Sequence, residues 1–452
     1  MKKLTPLVAL ILLVCTALVA FTGCGDTRAG GNEPPTGTVL ASAAIPFLKG
    51  RKAGLGSPDE VTHVASIYDK QKAAIQKDAN NAEAYLALAE LFMNEARITG
   101  EHPYYYPAAL KMIDLIPNLA GRSDEIRFQA AYYKATVQLS QHEFQKALVT
   151  GEEGRKIFPQ NAGIHGVLID ANVELGKYDE AVRLSDIMVG IRPDLRSYSR
   201  ISYLREIHGD PEGAIEAMKM AVDAAMPGYE QSAWCRLTLA KLYENYGKLD
   251  DAKMHYTIIL EERPEYPFAY SGLASIAMKQ GNTAEAGKLL DKAIALIPEV
   301  GFYEQKAGLM LQLGNEAEAK AIGEEVMVMM AEDEESGHLV DLEMALAKLH
   351  LQNDAQAAQV YAEKAFAARP ENIDVNAALA EIHYAMGDFS KAQGYMKVAL
   401  RTGSKDPAKN CVAGLIEVAA GNKAAGLAQI KQALSTDPYL DHPLAEKAKA
   451  ML

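Results

Sequence analysis

An all-α solenoid of about ten helix-turn-helix repeats is the fold class predicted for this 452-residue chain, on three observations. First, one turn signal recurs at nearly constant spacing. GKYDEA, GDPEGA, GKLDDA, GNTAEA, GNEAEA, NDAQAA, GDFSKA and GNKAAG begin at 176, 209, 247, 281, 314, 353, 387 and 421. Second, helical chemistry flanks every copy: a Gly or Asn suits the left-handed C-cap of one helix, and in all but the last an Ala five residues on opens the next. Third, Ala and Leu dominate, and no stretch of the repeat region alternates apolar and polar residues as a half-buried strand does.

The elements follow in order. Tyr85, Leu88, Ala89 and Phe92 mark the first helix of the earliest unit. One period upstream of Gly176, HEFQKA (142–147) with Pro159 fits a degenerate unit. Leu239, Ala240, Tyr243, Ala252, Tyr256 and Pro264 form one full unit; Leu273, Ala274, Ala286, Leu290, Ala293 and Pro298 form the next. Leu379, Ala380, Ala392, Met396 and Ala399 form a later one. Pro closes most units because it cannot extend the backbone ladder. The unit at 314 lacks its Pro and runs into AEDEES (331–336), read as a solvated loop between repeats. HPYYYP (102–107) reads as a packed loop between the helices of the first unit.

This pattern resembles the tetratricopeptide (TPR) repeat family, whose period is 34 residues. The resemblance implies repeats over about 82–438, a C-terminal capping helix at about 440–452 and a right-handed superhelix. In such a stack each unit touches its neighbours, and a long binding surface leaves little room for a catalytic core. Tyr198, Tyr270 and Tyr303 stand where the family has tryptophan.

The N-terminus carries a different signal. Lys2 and Lys3 precede a charge-free apolar run from Leu7 to Phe21, the shape of a secretory signal. Phe21-Thr22-Gly23-Cys24 resembles the bacterial lipobox, with Phe21 where Leu is usual. The resemblance implies a signal peptide at 1–23 and a lipidated Cys24. An uncleaved anchor helix over Leu4–Gly23 is the alternative, being just long enough to span a bilayer. Gly25 rather than Asp follows Cys24, which by likeness to proteobacterial sorting implies the outer membrane, facing the periplasm. Residues 24–58 are rich in Gly, Pro and Ala and read as a flexible tether, and 59–452 as the solenoid. Within that tether, TVLASAAIPFL (38–48) is apolar enough to dock.

Charge and cysteine narrow the function. Without Lys2 and Lys3 the chain has 44 basic and 59 acidic residues, a net −15, which excludes nucleic acid as a partner. Cys235 and Cys411 lie five repeats apart and read as unpaired packing residues. The ten His show no H-E-x-x-H arrangement, and His338 and His350 are too loosely spaced for a metal site. No phosphate loop or nucleophile elbow occurs. The chain therefore reads as a non-enzyme without cofactor or metal.

In the TPR family the inner wall is built from first helices. Here it offers Arg196, Arg200, Tyr203, Trp234, Lys241 and Phe268 as protein-binding candidates. Arg196 and Arg200 are four apart and share a helix face. Arg, Tyr and Trp are frequent binding anchors. The competing reading pairs Arg200 and Arg205 with nearby carboxylates and uses Trp234 to fill a gap between repeats. The expected function is a lipid-anchored scaffold for envelope proteins, in secretion, pilus or exopolysaccharide assembly. The alternative is a periplasmic carrier or chaperone holding extended polypeptide or polysaccharide in the groove.

Overall fold

A computed structural model describes residues 44–452. The signal peptide, Cys24 and most of the tether lie outside the described residues. Among the described residues there are 22 α-helices, one 3₁₀ turn and no strand.

Helix α1 (Pro58–Lys77) precedes ten antiparallel hairpins. They pair α2 (Ala82–Thr99) with α3 (His102–Asp114), α4 (Asp124–Ser140) with α5 (Phe144–Ile157), and α6 (Ala162–Glu174) with α7 (Tyr178–Ile191). Next come α8 (Leu195–Ile207) with α9 (Pro211–Asp223), α10 (Glu230–Asn245) with α11 (Leu249–Glu262), and α12 (Pro267–Lys279) with α13 (Thr283–Leu296). The last four are α14 (Val300–Gln312) with α15 (Glu316–Glu335), α16 (Asp341–His350) with α17 (Ala355–Ala368), α18 (Ile373–Ala385) with α19 (Phe389–Ala399), and α20 (Pro407–Ala419) with α21 (Lys423–Thr436). Helix α22 (Ala445–Lys449) covers the end.

Each hairpin turns on one left-handed residue. Eight are Gly, from Gly100 to Gly421; His142 (φ 59°) and Asn353 (φ 53°) fill the other two. In eight of the ten hairpins the Ala five residues after the turn is buried against the partner helix; Ala181, Ala252, Ala286 and Ala392 are fully enclosed. Large side chains such as Tyr85, Phe92 and Tyr256 fill the space between hairpins. Each contributes on the order of 1.5–3 kcal/mol through burial.

Two expectations about local structure change. HPYYYP is not a loop: it opens α3, with Pro103 in the first turn, where a missing N–H costs nothing. Tyr105 and Tyr106 are buried, and the Tyr104 hydroxyl donates to the Phe47 carbonyl at 2.7 Å. The strap around Ile45 thereby docks on the first hairpin. The acidic run 332–335 is also helical, because without a Pro α15 extends to Glu335.

A larger difference concerns the stack as a whole. Repeats touch more than their neighbours: the turn of each of the first five hairpins meets the connector that follows the hairpin five places later. Gly100 faces Ile297, and Gly247 faces Thr436 and Pro438. The Leu339 N–H donates to the Gln141 carbonyl at 3.0 Å. The seam is richest at the third hairpin. There Arg369 pairs with Glu174, Asn372 Nδ2 donates to the Glu174 carbonyl at 2.9 Å, and the Ile373 N–H donates to the Tyr178 hydroxyl at 2.9 Å. Arg401 donates to the Gly176 carbonyl at 2.8 Å and lies over the Tyr178 ring. A Cβ on Gly176 would stand 2.3 Å from the Glu371 carbonyl, so the approach requires glycine. Successive turns of the superhelix are sealed by contacts nearly 200 residues apart in sequence.

Candidate functional site: the inner wall

First helices line the inside of the superhelix, and a cavity of about 430 Å³ lies along α6, α8 and α10. Helix α8 is placed by its start. The Asp194 carboxylate accepts from the Ser197 N–H while Ser197 Oγ accepts from the Asp194 N–H, a reciprocal cap. Ser199 and Ser202 are small buried residues at the cavity, and Ser202 Oγ donates to the Ala214 carbonyl at 2.7 Å. Tyr203 and Trp234 then project into the cavity and remain 39% and 38% exposed. Two large aromatics are thus left wet on a wall whose other large apolar groups are mostly buried.

Of the six predicted residues, Arg200, Tyr203 and Trp234 line this cavity together. Arg200 does so while bonded to Asp170 through Nε (2.8 Å) and Nη2 (2.5 Å), so its charge is already matched. Arg205 likewise stands 3.5 Å from Asp210. Arg196, one helical turn before Arg200, is exposed and not part of the cavity lining. Lys241 is exposed farther along α10, and Phe268 packs on Tyr266 and Phe302. Glu206 lines the cavity too, and Phe144 and Glu174 do so without having been singled out in the sequence.

The inner wall is wet but enclosed, and its ionisable groups respond. Burial pushes the Glu174 carboxyl up to about 7 despite Arg369 beside it. Glu206 rises to about 7 by burial and the nearby Asp406. Tyr203 is raised well above the usual phenol range by burial, then by Asp374 and Glu174. Lys241, though exposed to the groove, is lowered by desolvation from the surrounding wall.

A second cavity of about 1130 Å³ lies along α12, α14 and α16 and is roofed by residues 438–449. His102, His142, His338, His350 and His442 line it, half of the histidines in the chain. The His142 and His338 rings meet edge-on at 4.4 Å. Burial, reinforced by His142 and His102, drops His338 to about 3. Burial raises Glu299 to about 7 with Asp333 close by. Three groups here bring metal-ligating atoms within 4.8 Å of one another: His350, Glu381 and His442. Spacings of 31 and 61 residues hid this set in the sequence. Cys235 and Cys411 are free and buried.

Comparison with known proteins agrees with the repeat geometry. Two tetratricopeptide repeat family models match, over residues 237–300 and 349–411. The small glutamine-rich tetratricopeptide repeat-containing protein 2 of Saccharomyces cerevisiae is 30% identical over 86 residues, 19% of this chain. That stretch covers 25% of the yeast protein, so the chain matches about a quarter of its length. A thermophilic TPR protein from Thermus thermophilus superposes with a TM-score of 0.38 at 21% identity, covering 44% of this chain and 99% of that one. A tetratricopeptide repeat protein from Parabacteroides merdae gives 0.38 at 15% identity, covering 59% and 93%. The matched segments coincide with hairpins of the solenoid, and the chain carries tetratricopeptide repeats.

Proposed function

We propose that this protein is a lipid-anchored interaction scaffold of the bacterial cell envelope that grips a polypeptide segment on its inner wall. One observation carries the binding half: Tyr203 and Trp234 both stand wet in the lining of one open, mainly apolar cavity. Aromatic anchors of this kind dominate binding energy where a partner dries them. Arg200, matched to Asp170, serves as a fixed edge rather than a free charge. The lining is mainly apolar, which favours an apolar segment.

The anchoring half rests on the sequence of residues 1–24. No helix among the described residues is long and apolar enough to cross a membrane. On that sequence, attachment is assigned to lipid on Cys24, at the outer membrane facing the periplasm. Several acyl chains anchor stably where one is marginal. The scaffold reading invokes no catalysis.

The test compares wild type with Tyr203→Ala/Trp234→Ala in capture from detergent-solubilised membranes of the source cells. The scaffold reading expects one or two stoichiometric partners that the double variant loses while its circular dichroism stays unchanged. Trp234 is the only tryptophan, so its fluorescence should shift when a captured partner is added back. Equal capture by the variant would sink the site. A broad substoichiometric smear from wild type would favour a carrier.

A further inference from the structure

We infer that His350, Glu381 and His442 form a binding site for one divalent transition-metal ion, with zinc the best chemical match. The three come from separate elements: the end of α16, the middle of α18, and the segment between α21 and α22. His350 Nε2 lies 2.8 Å from Glu381 Oε1, and His442 Nε2 lies 3.5 Å from Glu381 Oε2. The two imidazoles meet nearly perpendicular, at 80° and 5.7 Å between ring centres. An ion about 2.0–2.2 Å from each donor needs donors about 3–3.5 Å apart; both histidine–glutamate separations meet this, and all three donors lie within 4.8 Å of one another. Two histidines and one carboxylate form a recurrent ligand set for zinc with a position left open. Imidazole nitrogen selects first-row transition ions over magnesium or calcium.

The surroundings fit such an ion. Glu381 is buried in the wall, while both histidines border the second cavity. The open coordination position therefore faces water or a cavity-bound donor. The set also ties the C-terminal segment to the inner wall, so an ion there would pin the roof of that cavity. One feature of the unbound arrangement must change. The Leu444 N–H donates to His442 Nδ1 at 3.2 Å, which puts the ring proton on Nε2. On binding, that proton moves to Nδ1, Nε2 takes the ion, and Leu444 gives up its acceptor. One neutral hydrogen bond is a small loss beside the affinity of protein zinc sites.

The experiment is calorimetric titration of the untagged full chain, freed of metal by a chelator, with zinc chloride alone. The expected result is one ion per chain and a higher melting temperature when zinc is present. Glu381→Gln and His442→Gln should each weaken binding by more than the roughly 10–100-fold that loss of an outer-shell partner costs. Both should abolish the zinc-dependent rise in melting temperature while leaving the metal-free circular dichroism unchanged. If either variant fails to fold, His350→Gln supplies the same test at a half-buried member of the set. Absence of stoichiometric zinc on wild type would overturn the inference and leave a His–Glu–His hydrogen-bond network. Equal zinc binding by wild type and a folded variant would also overturn it.

Discussion

Gly414 and Gly426 stand where α20 and α21 cross, and a Cβ on either would reach the other's carbonyl oxygen at 2.7 or 2.5 Å. Neither backbone can yield without opening the hairpin. Gly414→Ala or Gly426→Ala should therefore lower stability by about 1–3 kcal/mol in thermal or urea unfolding. Gly394, inside α19 with open space beside it, should give the opposite sign. Gly394→Ala should stabilise by roughly 0.5–1 kcal/mol, the ordinary helix-interior gain. Charge at the inner wall gives a second residue-scale test. The folded Glu299 carboxyl is held at about 7, above its unfolded value of 4.5, so the folded state binds its proton more tightly. Its contribution favours folding fully below about 4.5 and is lost as pH rises through 7. Glu299→Gln should thus raise the melting temperature at pH 8 and leave it unchanged near pH 4. His338 acts the other way: held at about 3, it withholds a proton that the unfolded chain binds, so stability falls as pH drops from 6.5 toward 3.

Among the elements, α18 depends most visibly on its cap. The Asn372 side chain accepts from the Asp374 and Val375 N–H groups and donates to the Glu174 carbonyl. Asn372→Ala should cost about 0.5–2 kcal/mol for the cap alone. An additional loss in equilibrium unfolding would report the bond to Glu174. Element identity was largely legible in the sequence, for physical reasons. A left-handed turn residue and a buried Ala are local demands, so the first repeats in every hairpin and the second in eight of the ten. Even the degenerate turns obey, with His142 and Asn353 taking the conformation that Gly takes elsewhere. HPYYYP was illegible as a helix start because Pro and aromatics signal loops, whereas Pro103 lies in the first turn and Tyr105 is drawn into the core. The run 332–335 misled in a similar way, its charges being read as solvation when the absent Pro meant continuation.

At the scale of the molecule, what the sequence did not disclose is closure. The period gives the repeat, but the rotation between repeats depends on side-chain packing, and a small change decides whether successive turns touch. The partners at the seam, such as Arg369 with Glu174 and Arg401 with Gly176, lie 195 and 225 residues apart and share no motif. The same distance hid His350, Glu381 and His442 from one another. The candidate binding wall was partly legible: Arg200, Tyr203 and Trp234 share a face because they sit on consecutive first helices. Arg196 and Phe268 depart because a helix turn and a neighbouring ring direct them elsewhere. Sealed turns enclose the inner wall, which is why wet side chains there have displaced proton affinities. Arg369→Ala tests this coupling: it removes a pairing with Glu174 and a contact over the Phe144 ring. It should lower the unfolding midpoint by an amount typical of a broken partly buried pair, about 1–3 kcal/mol.

The most direct measurement is hydrogen exchange at the Ile373 amide. As the first residue of α18 it has no acceptor within its own helix, and in an open stack it would exchange at the rate of unstructured peptide. Here it donates to the Tyr178 hydroxyl across the seam. The sealed superhelix predicts strong protection in the wild type and marked acceleration in Tyr178→Phe. Free exchange at Ile373 in the wild type, or no response to Tyr178→Phe, would contradict it.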